Sequence, residues 1–211
     1  MIKKLFERIL GKQKFNSIAY WENRYASGDN SGDGSYGRLA HFKADFINQF
    51  LKENGIDTVL EMGCGDGHQL SIIHYPSYTG MDVSSTIIDA CKKKFQGDST
   101  KHFLVYDPAS FIPSDEQKVD LSLSLDVLYH IVEQKNYSKY LKDLFHASKR
   151  FVMIYSTNFY LEETSHVLHR KFTDDVATMF PSWKLIIHKP NLYSGNGEQE
   201  SMADFYVYEQ K

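Results

Sequence analysis

The stretch TVLEMGCGDGHQL, residues 58–70, decides how the rest of the chain is read: an apolar run ends at Glu61, and glycines follow at alternate positions, Gly63, Gly65 and Gly67. Such a turn leaves the backbone bare of side chains. In an open α/β sheet it belongs after the first strand, where a nucleotide can approach the carboxyl ends of the strands. A dinucleotide fingerprint GxGxxG requires a small residue at position 68 for close helix–strand packing, and this chain has His68 there. The next strand is predicted to end in Asp82, nineteen positions after Gly63, where a carboxylate can accept both hydroxyls of a ribose.

Past residue 55, short apolar runs alternate with amphipathic stretches, and strands are predicted at 57–62, 77–82, 102–107, 119–125, 150–156, 183–188 and 202–209. SSTIIDACKKKF places Ile87, Ile88, Cys91 and Phe95 on one helical face, with Ser84 or Ser85 as N-cap. NYSKYLKDLFHASK does the same with Tyr140, Leu141, Leu144 and Phe145. The alternation predicts an α/β fold, a mostly parallel seven-stranded sheet with helices on both faces. Only NLYSGNGEQES separates the last two strands, too short for a helical crossover, so they should pair antiparallel. A single domain over 1–211 is expected, with 1–55 as a helical cap and lid loop and 56–211 as the sheet core.

A net charge of −3 and a pI near 6.3 give no global electrostatic footprint for nucleic acid. The two cysteines, Cys64 and Cys91, form neither a disulfide framework nor a zinc motif, which fits a reducing cytoplasm. Histidines and acids are too scattered for a recognisable metal motif, so no metal is expected. MIKKLFERILGKQKF reads as a basic amphipathic helix. Its charges interrupt any apolar run of signal-peptide or membrane-span length, leaving a packed lead-in helix or a transient surface contact with membrane or partner.

EMGCGDG followed by YTGMDVS resembles the first two motifs of class I (Rossmann-like) S-adenosylmethionine-dependent methyltransferases. Asp107, closing FLVYDP, and Asp126, closing LSLSLDVLYH, continue the set in the same order, and the resemblance runs over roughly residues 15–210. It implies S-adenosyl-L-methionine as cofactor, S-adenosyl-L-homocysteine as product, and an antiparallel C-terminal hairpin in a seven-stranded sheet. Carried over residue by residue, the backbone of Gly63, Cys64 and Gly65 and the carboxylate of Glu61 would lie near the methionine moiety. Asp82, followed by Val83, would serve the ribose, Asp107 or its neighbours the adenine, and Asp126 the methionine amine. Any one of these acids alone could equally be a loop cap.

In YWENRYASGDNSGDGSYG, Trp21, Arg24 and Tyr25 share a helical face, where Arg suits a carboxylate and Trp makes a flat cover. Similar Trp/Arg helices cover the cofactor in several small-molecule methyltransferases. The glycine-rich DNSGDGSYG that follows reads as a lid or as a plain flexible connection.

Methyl transfer is an in-line displacement, so positioning dominates and an oxygen nucleophile benefits from a base. His130, just past the fourth strand, is the candidate base or orienting group, with Tyr129 and Tyr155 walling the pocket. TSHVLHRKF gathers His166, His169 and Arg170 within one helical turn, suited to an anionic substrate or simply a solvated helix start; His169 is the second candidate base. DVLY lacks the paired prolines that mark exocyclic-amine methylation, and no RNA-binding module is appended, which points to a small-molecule acceptor. WENRY and HRKF resemble small bacterial methyltransferases linked with surface-polysaccharide precursors, implying a sugar hydroxyl or a phosphorus-linked oxygen. A nucleotide-dependent oxidoreductase and a catalytically silent methyltransferase-like subunit are the alternatives.

Overall fold

The computed structural model describes residues 15–211; the basic helix expected at the N-terminus lies outside them. Seven strands form one sheet: β1 (Thr58–Met62), β2 (Ser77–Asp82), β3 (Lys101–Val105), β4 (Val119–Leu125), β5 (Ser148–Ser156), β8 (Trp183–Lys189) and β9 (Asp204–Gln210). Two short strands, β6 (Leu161–Thr164) and β7 (Val167–His169), make a separate ribbon. The helices are α1 (Ser17–Ala26), α2 (Gly37–Asn54), α3 (Ser85–Lys94), α4 (Gln134–His146) and α5 (Phe172–Met179). The sheet order is β3-β2-β1-β4-β5-β9-β8, parallel except that β9 runs against both β5 and β8.

Because β1 pairs with β2 on one side and β4 on the other, the chain reverses its winding direction there, and a crevice opens beyond their carboxyl ends. Alternation along β4 shows how the two faces are filled. Leu121, Leu123 and Leu125 join the core beneath α2 and α3, with Ile47, Phe50, Ile88 and Cys91. Ser122 and Ser124 point to the other face, where their small side chains admit α4 closely. Ser122 Oγ donates to Leu144 O at 2.7 Å, and Tyr140 OH donates to Ser124 Oγ at 2.8 Å. Leu60, Met62, Val152 and Ile154 meet α4 and α5 on that face. Ser84 caps α3 by accepting from Ile87 N, as its place before the apolar run predicts.

Two local expectations are corrected. TSHVLHRKF is not helical: Thr164 and Val167 face each other across the β6–β7 ribbon, their branched side chains favouring extended backbone, and α5 begins only at Phe172. β3 stops at Val105, two residues short of Asp107. After β1 there is no α-helix, only a 3-10 turn at Gln69–Ile72, so position 68 need not be small; the His68 ring stacks on Tyr36 at 4.3 Å. Among the described residues no helix is long and apolar enough to cross a membrane.

Candidate active site

The glycine turn is pinned from beneath. Met81 O accepts from both Gly63 N (2.6 Å) and Cys64 N (2.9 Å), and Gly65 N donates to Asp82 Oδ2 at 3.1 Å. Gly63 and Gly65 have φ of 86° and 54°, a left-handed backbone that L side chains rarely adopt. A Cβ would also drive Gly63 into Val127 and Gly65 into Ser31. Above the turn lies a cavity of about 960 Å³, counted to its open mouth. Glu61, Asp82, Val83, Tyr106, Asp126 and Trp21 belong to its wall.

The loop after α1 is fastened over this turn. Asp66 accepts from Ser31 N (2.9 Å), Tyr36 OH (2.7 Å) and His68 N (2.9 Å), while Asp66 N donates back to Ser31 Oγ at 2.9 Å. Trp21 and Tyr25 reach the cavity, but Arg24 does not. Its Nε donates to Asn30 O at 2.9 Å and its NH1 lies 3.6 Å from Asp29, so it holds the loop rather than the cavity's contents.

Burial dominates the electrostatics. It pushes the Glu61 carboxyl up to about 7, against the Tyr78 OH donated to Oε2 at 2.7 Å and the charge of Lys43. Burial likewise raises Asp82 to about 6, against the N–H groups of Ser84 and Gly65 that its two oxygens accept. Asp126, at φ 60°, accepts from Lys43 Nζ (2.6 Å) through Oδ2 and from Tyr129 OH (2.8 Å) through Oδ1. Lys43 is 1% exposed and was missed by the sequence reading. Its signal was legible: it sits four residues from both Leu39 and Ile47, on the buried stripe of α2. Gln69 was also missed. Its Nε2 donates to Ala40 O at 2.8 Å, and its Oε1 is buried with no hydrogen-bond partner.

His130 stands in the cavity wall, edge-on to Trp21 with ring centroids 5.0 Å apart and Nδ1 3.5 Å from His166 O. Burial pushes its pKa down to about 4. Asp107 is exposed and caps its own turn, accepting from Ala109 N (2.9 Å) and Ser110 Oγ (2.7 Å); Tyr106 and Pro108 supply the wall instead. Tyr155 is buried behind Lys43, its ring 5.2 Å from Nζ and its OH accepting from Asn191 Nδ2. Tyr129 stays on Asp126. The cationic cluster disperses. The His166 ring stacks on Tyr20 at 5.0 Å, and the buried His169 has Nδ1 2.7 Å from Thr157 Oγ1. Arg170 donates to Ile131 O (2.8 Å) and Val132 O (2.9 Å), fixing the loop after β4. None of these three belongs to the cavity wall. Among the described residues no group of three or more His, Cys, Asp or Glu is placed to hold a metal ion.

Residues 59–150 match the family model described as a methyltransferase domain. The sheet around that match has the Rossmann-like methyltransferase fold. N-methyltransferase NodS from Bradyrhizobium japonicum, solved with S-adenosylhomocysteine, superposes with a TM-score of 0.72 over 93% of this chain and 99% of that one, at 14% identity. Magnesium protoporphyrin IX methyltransferase from Synechocystis, solved with S-adenosylmethionine, gives 0.67 over 95% of this chain and 100% of that one, also at 14%. At such identity the likeness is one of fold. A tRNA (carboxymethyluridine(34)-5-O)-methyltransferase of Arabidopsis thaliana is 26% identical over 125 residues, 59% of this chain but only 30% of the relative's length.

S-adenosylmethionine is the cofactor of this domain, and the residues present fit it. Four wall carboxylates, Glu61, Asp66, Asp82 and Asp126, suit a ligand carrying a sulfonium and an ammonium, and the unmatched Gln69 Oε1 is an acceptor still lacking its donor. When bound, the cofactor supplies the electrophilic methyl group. The chain's own residues would bind and orient it.

Proposed function

We propose that the protein transfers the methyl group of S-adenosylmethionine to an oxygen of a small, anionic acceptor of the surface-polysaccharide-precursor kind, a phosphorus-linked oxygen or a sugar hydroxyl. The observation that carries this reading is the state of His130. With its pKa held near 4 by burial, the imidazole is neutral from about pH 5 upward and a weak proton acceptor. An oxygen already ionised at neutral pH has no proton to lose and needs only orientation, which favours the phosphorus-linked oxygen over the sugar hydroxyl. Smallness is supported by the roof: Ser17 binds Glu133 through N (2.8 Å) and Oγ (2.6 Å), and Tyr20 stacks on His166, so α1 and the β6–β7 ribbon close over the His130 side. The acceptors of the relatives differ among themselves and do not choose between these.

The test is S-adenosylhomocysteine release with sugar phosphates, nucleotide-linked phosphoryl compounds, neutral sugars and a tRNA pool. Turnover with phosphoryl compounds supports the reading, and turnover with tRNA alone overturns it. Cofactor binding without turnover on any acceptor would make the protein a silent subunit. Once an acceptor is in hand, His130→Ala should lower kcat by about tenfold, the scale of one lost orienting hydrogen bond. His169→Ala, outside the cavity wall, should lower thermal stability and leave kcat of the folded enzyme within about twofold. A full-speed His130→Ala enzyme would remove His130 from the acceptor site.

A further inference from the structure

We propose that Lys139 and Asp143, two residues of α4 outside the cavity wall, are positioning residues: they hold Tyr106 and the loop after β3 in one place, as the wall against which the base of the cofactor packs. The inference rests on the S-adenosylmethionine reading of the cavity and is independent of the acceptor.

Along the row of strand ends the cavity changes character. Asp126 follows β4, Glu61 lies in β1 and Asp82 ends β2, whereas the wall beyond β3 is Tyr106 and Pro108, an aromatic ring and a proline. An uncharged base suits that end. Yet β3 is the edge strand, so the chain leaving it has a sheet neighbour on one side only. Tyr106 N still donates to Asp82 O at 2.8 Å, and beyond it residues 107–111 form a turn bonded to itself, with Asp107 O accepting from Ser110 N and Phe111 N. Such a turn has a fixed shape but no fixed place. Among the described residues, one hydrogen bond ties 107–113 to another element, from Lys139 Nζ to Phe111 O at 2.8 Å.

The same ammonium meets both oxygens of Asp143, at 2.5 and 2.6 Å, and Asp143 Oδ2 also accepts from Tyr106 OH at 2.6 Å. Asp143 is 3% exposed, and a carboxylate that deep is costly unless it is paired, so Lys139 and Tyr106 are both held to it. Burial and this carboxylate push the Tyr106 hydroxyl well above the ordinary phenol value, which keeps it a donor. The buried Tyr106 ring stands edge-on to Phe111 and Tyr140, with centroids 5.5 and 6.2 Å away. One buried carboxylate thus fixes a wall residue through its hydroxyl and, through Lys139, the loop that carries Pro108. Packing alone does not call for this: a phenylalanine at 106 would fill the same space without a buried charge behind it.

Calorimetric titration with S-adenosylhomocysteine and with S-ribosylhomocysteine, which lacks the base, tests the proposal, because the ratio of the two affinities reads the contribution of the base. Lys139→Met/Asp143→Asn removes both charges together and strands neither; it should lower the ratio by about tenfold, with S-ribosylhomocysteine affinity unchanged within about twofold. Tyr106→Phe, which keeps the ring and loses only the hydroxyl, should lower it by about threefold, and it carries the test alone if the double variant does not fold. Lys139→Arg keeps the charge and the donors and should stay within about twofold of wild type. A merely structural pair would cost thermal stability and leave the ratio of the folded protein unchanged; that result, or an equal loss for both ligands, overturns the proposal. Wild type that binds both ligands equally would overturn the placement of the base, and wild type that binds neither would overturn the cofactor cavity itself, failures visible before any variant is made.

Discussion

Asp82→Ala is expected to weaken S-adenosylhomocysteine binding by about 2–3 kcal/mol, about 30- to 150-fold, the scale of a lost charged hydrogen-bonding group. Asp82 is 6% exposed in the cavity wall at the end of β2, next to the turn it supports. Its two oxygens already accept from Gly65 N and Ser84 N, and a carboxylate retains lone pairs for two ribose hydroxyls beside them. Alanine therefore removes the ribose acceptor and also strands two backbone donors, which is why the effect belongs at the upper end of the range. Asp82→Asn should fall between, since its amide oxygen keeps one N–H while its NH₂ faces the other. The specific readout is the preference for adenosine over 2′-deoxyadenosine: it should be present in wild type and absent in Asp82→Ala. A variant that loses affinity equally for both nucleosides would place Asp82 in turn support alone.

The elements most legible in the sequence are those whose ends carry their own chemistry. Gly63 after β1 and Ser84 before α3 fix their boundaries locally, by positive φ and by capping, and need no tertiary context. The long apolar alternations of β4 and β5 are equally plain, because leaving either face of a central strand unpacked is costly. TSHVLHRKF was not legible, because charges three and four residues apart suggest a helical face while Thr164 and Val167 favour a ribbon, and the segment is too short for period to decide. Asp107 shows a different limit. The residue was found, but a carboxylate two positions past a strand can cap its own turn as readily as it can face a ligand, and here it accepts from Ala109 and Ser110. Lys43 shows a third limit: its place on the buried stripe of α2 is legible, but that it reaches the cavity depends on α2 crossing beside the glycine turn, a long-range fact no local pattern encodes.

The ligand-free protein should lose stability as pH rises from about 4 to 7, and Glu61→Gln should abolish much of that loss. Burial raises Glu61 from 4.5 to about 7, so between those values the folded state keeps a proton that the unfolded chain releases. A group binding more protons when folded favours folding below its unfolded pKa, and that advantage disappears as pH climbs through its folded pKa. For Glu61 the difference amounts to about 3 kcal/mol once pH exceeds 7. Asp82, raised from 3.8 to about 6, acts in the same direction over a lower window, so the comparison of wild type with Glu61→Gln, not the wild-type curve alone, isolates Glu61. The glutamine can still accept the Tyr78 hydroxyl through its amide oxygen, so little packing is lost. Ligand binding should reverse the trend. A sulfonium and an ammonium near Glu61 favour its ionised form, so S-adenosylmethionine affinity should increase between about pH 6 and 8, more steeply than that of S-adenosylhomocysteine, which lacks the sulfonium charge. Thermal denaturation across pH, with and without each ligand, reads both effects. Equal pH slopes for wild type and Glu61→Gln would mean that Glu61 binds the same number of protons folded and unfolded; the converse pattern would mean that the protein holds this carboxyl in an unfavourable state which only a cationic ligand relieves, the trade of stability for binding expected of a functional site.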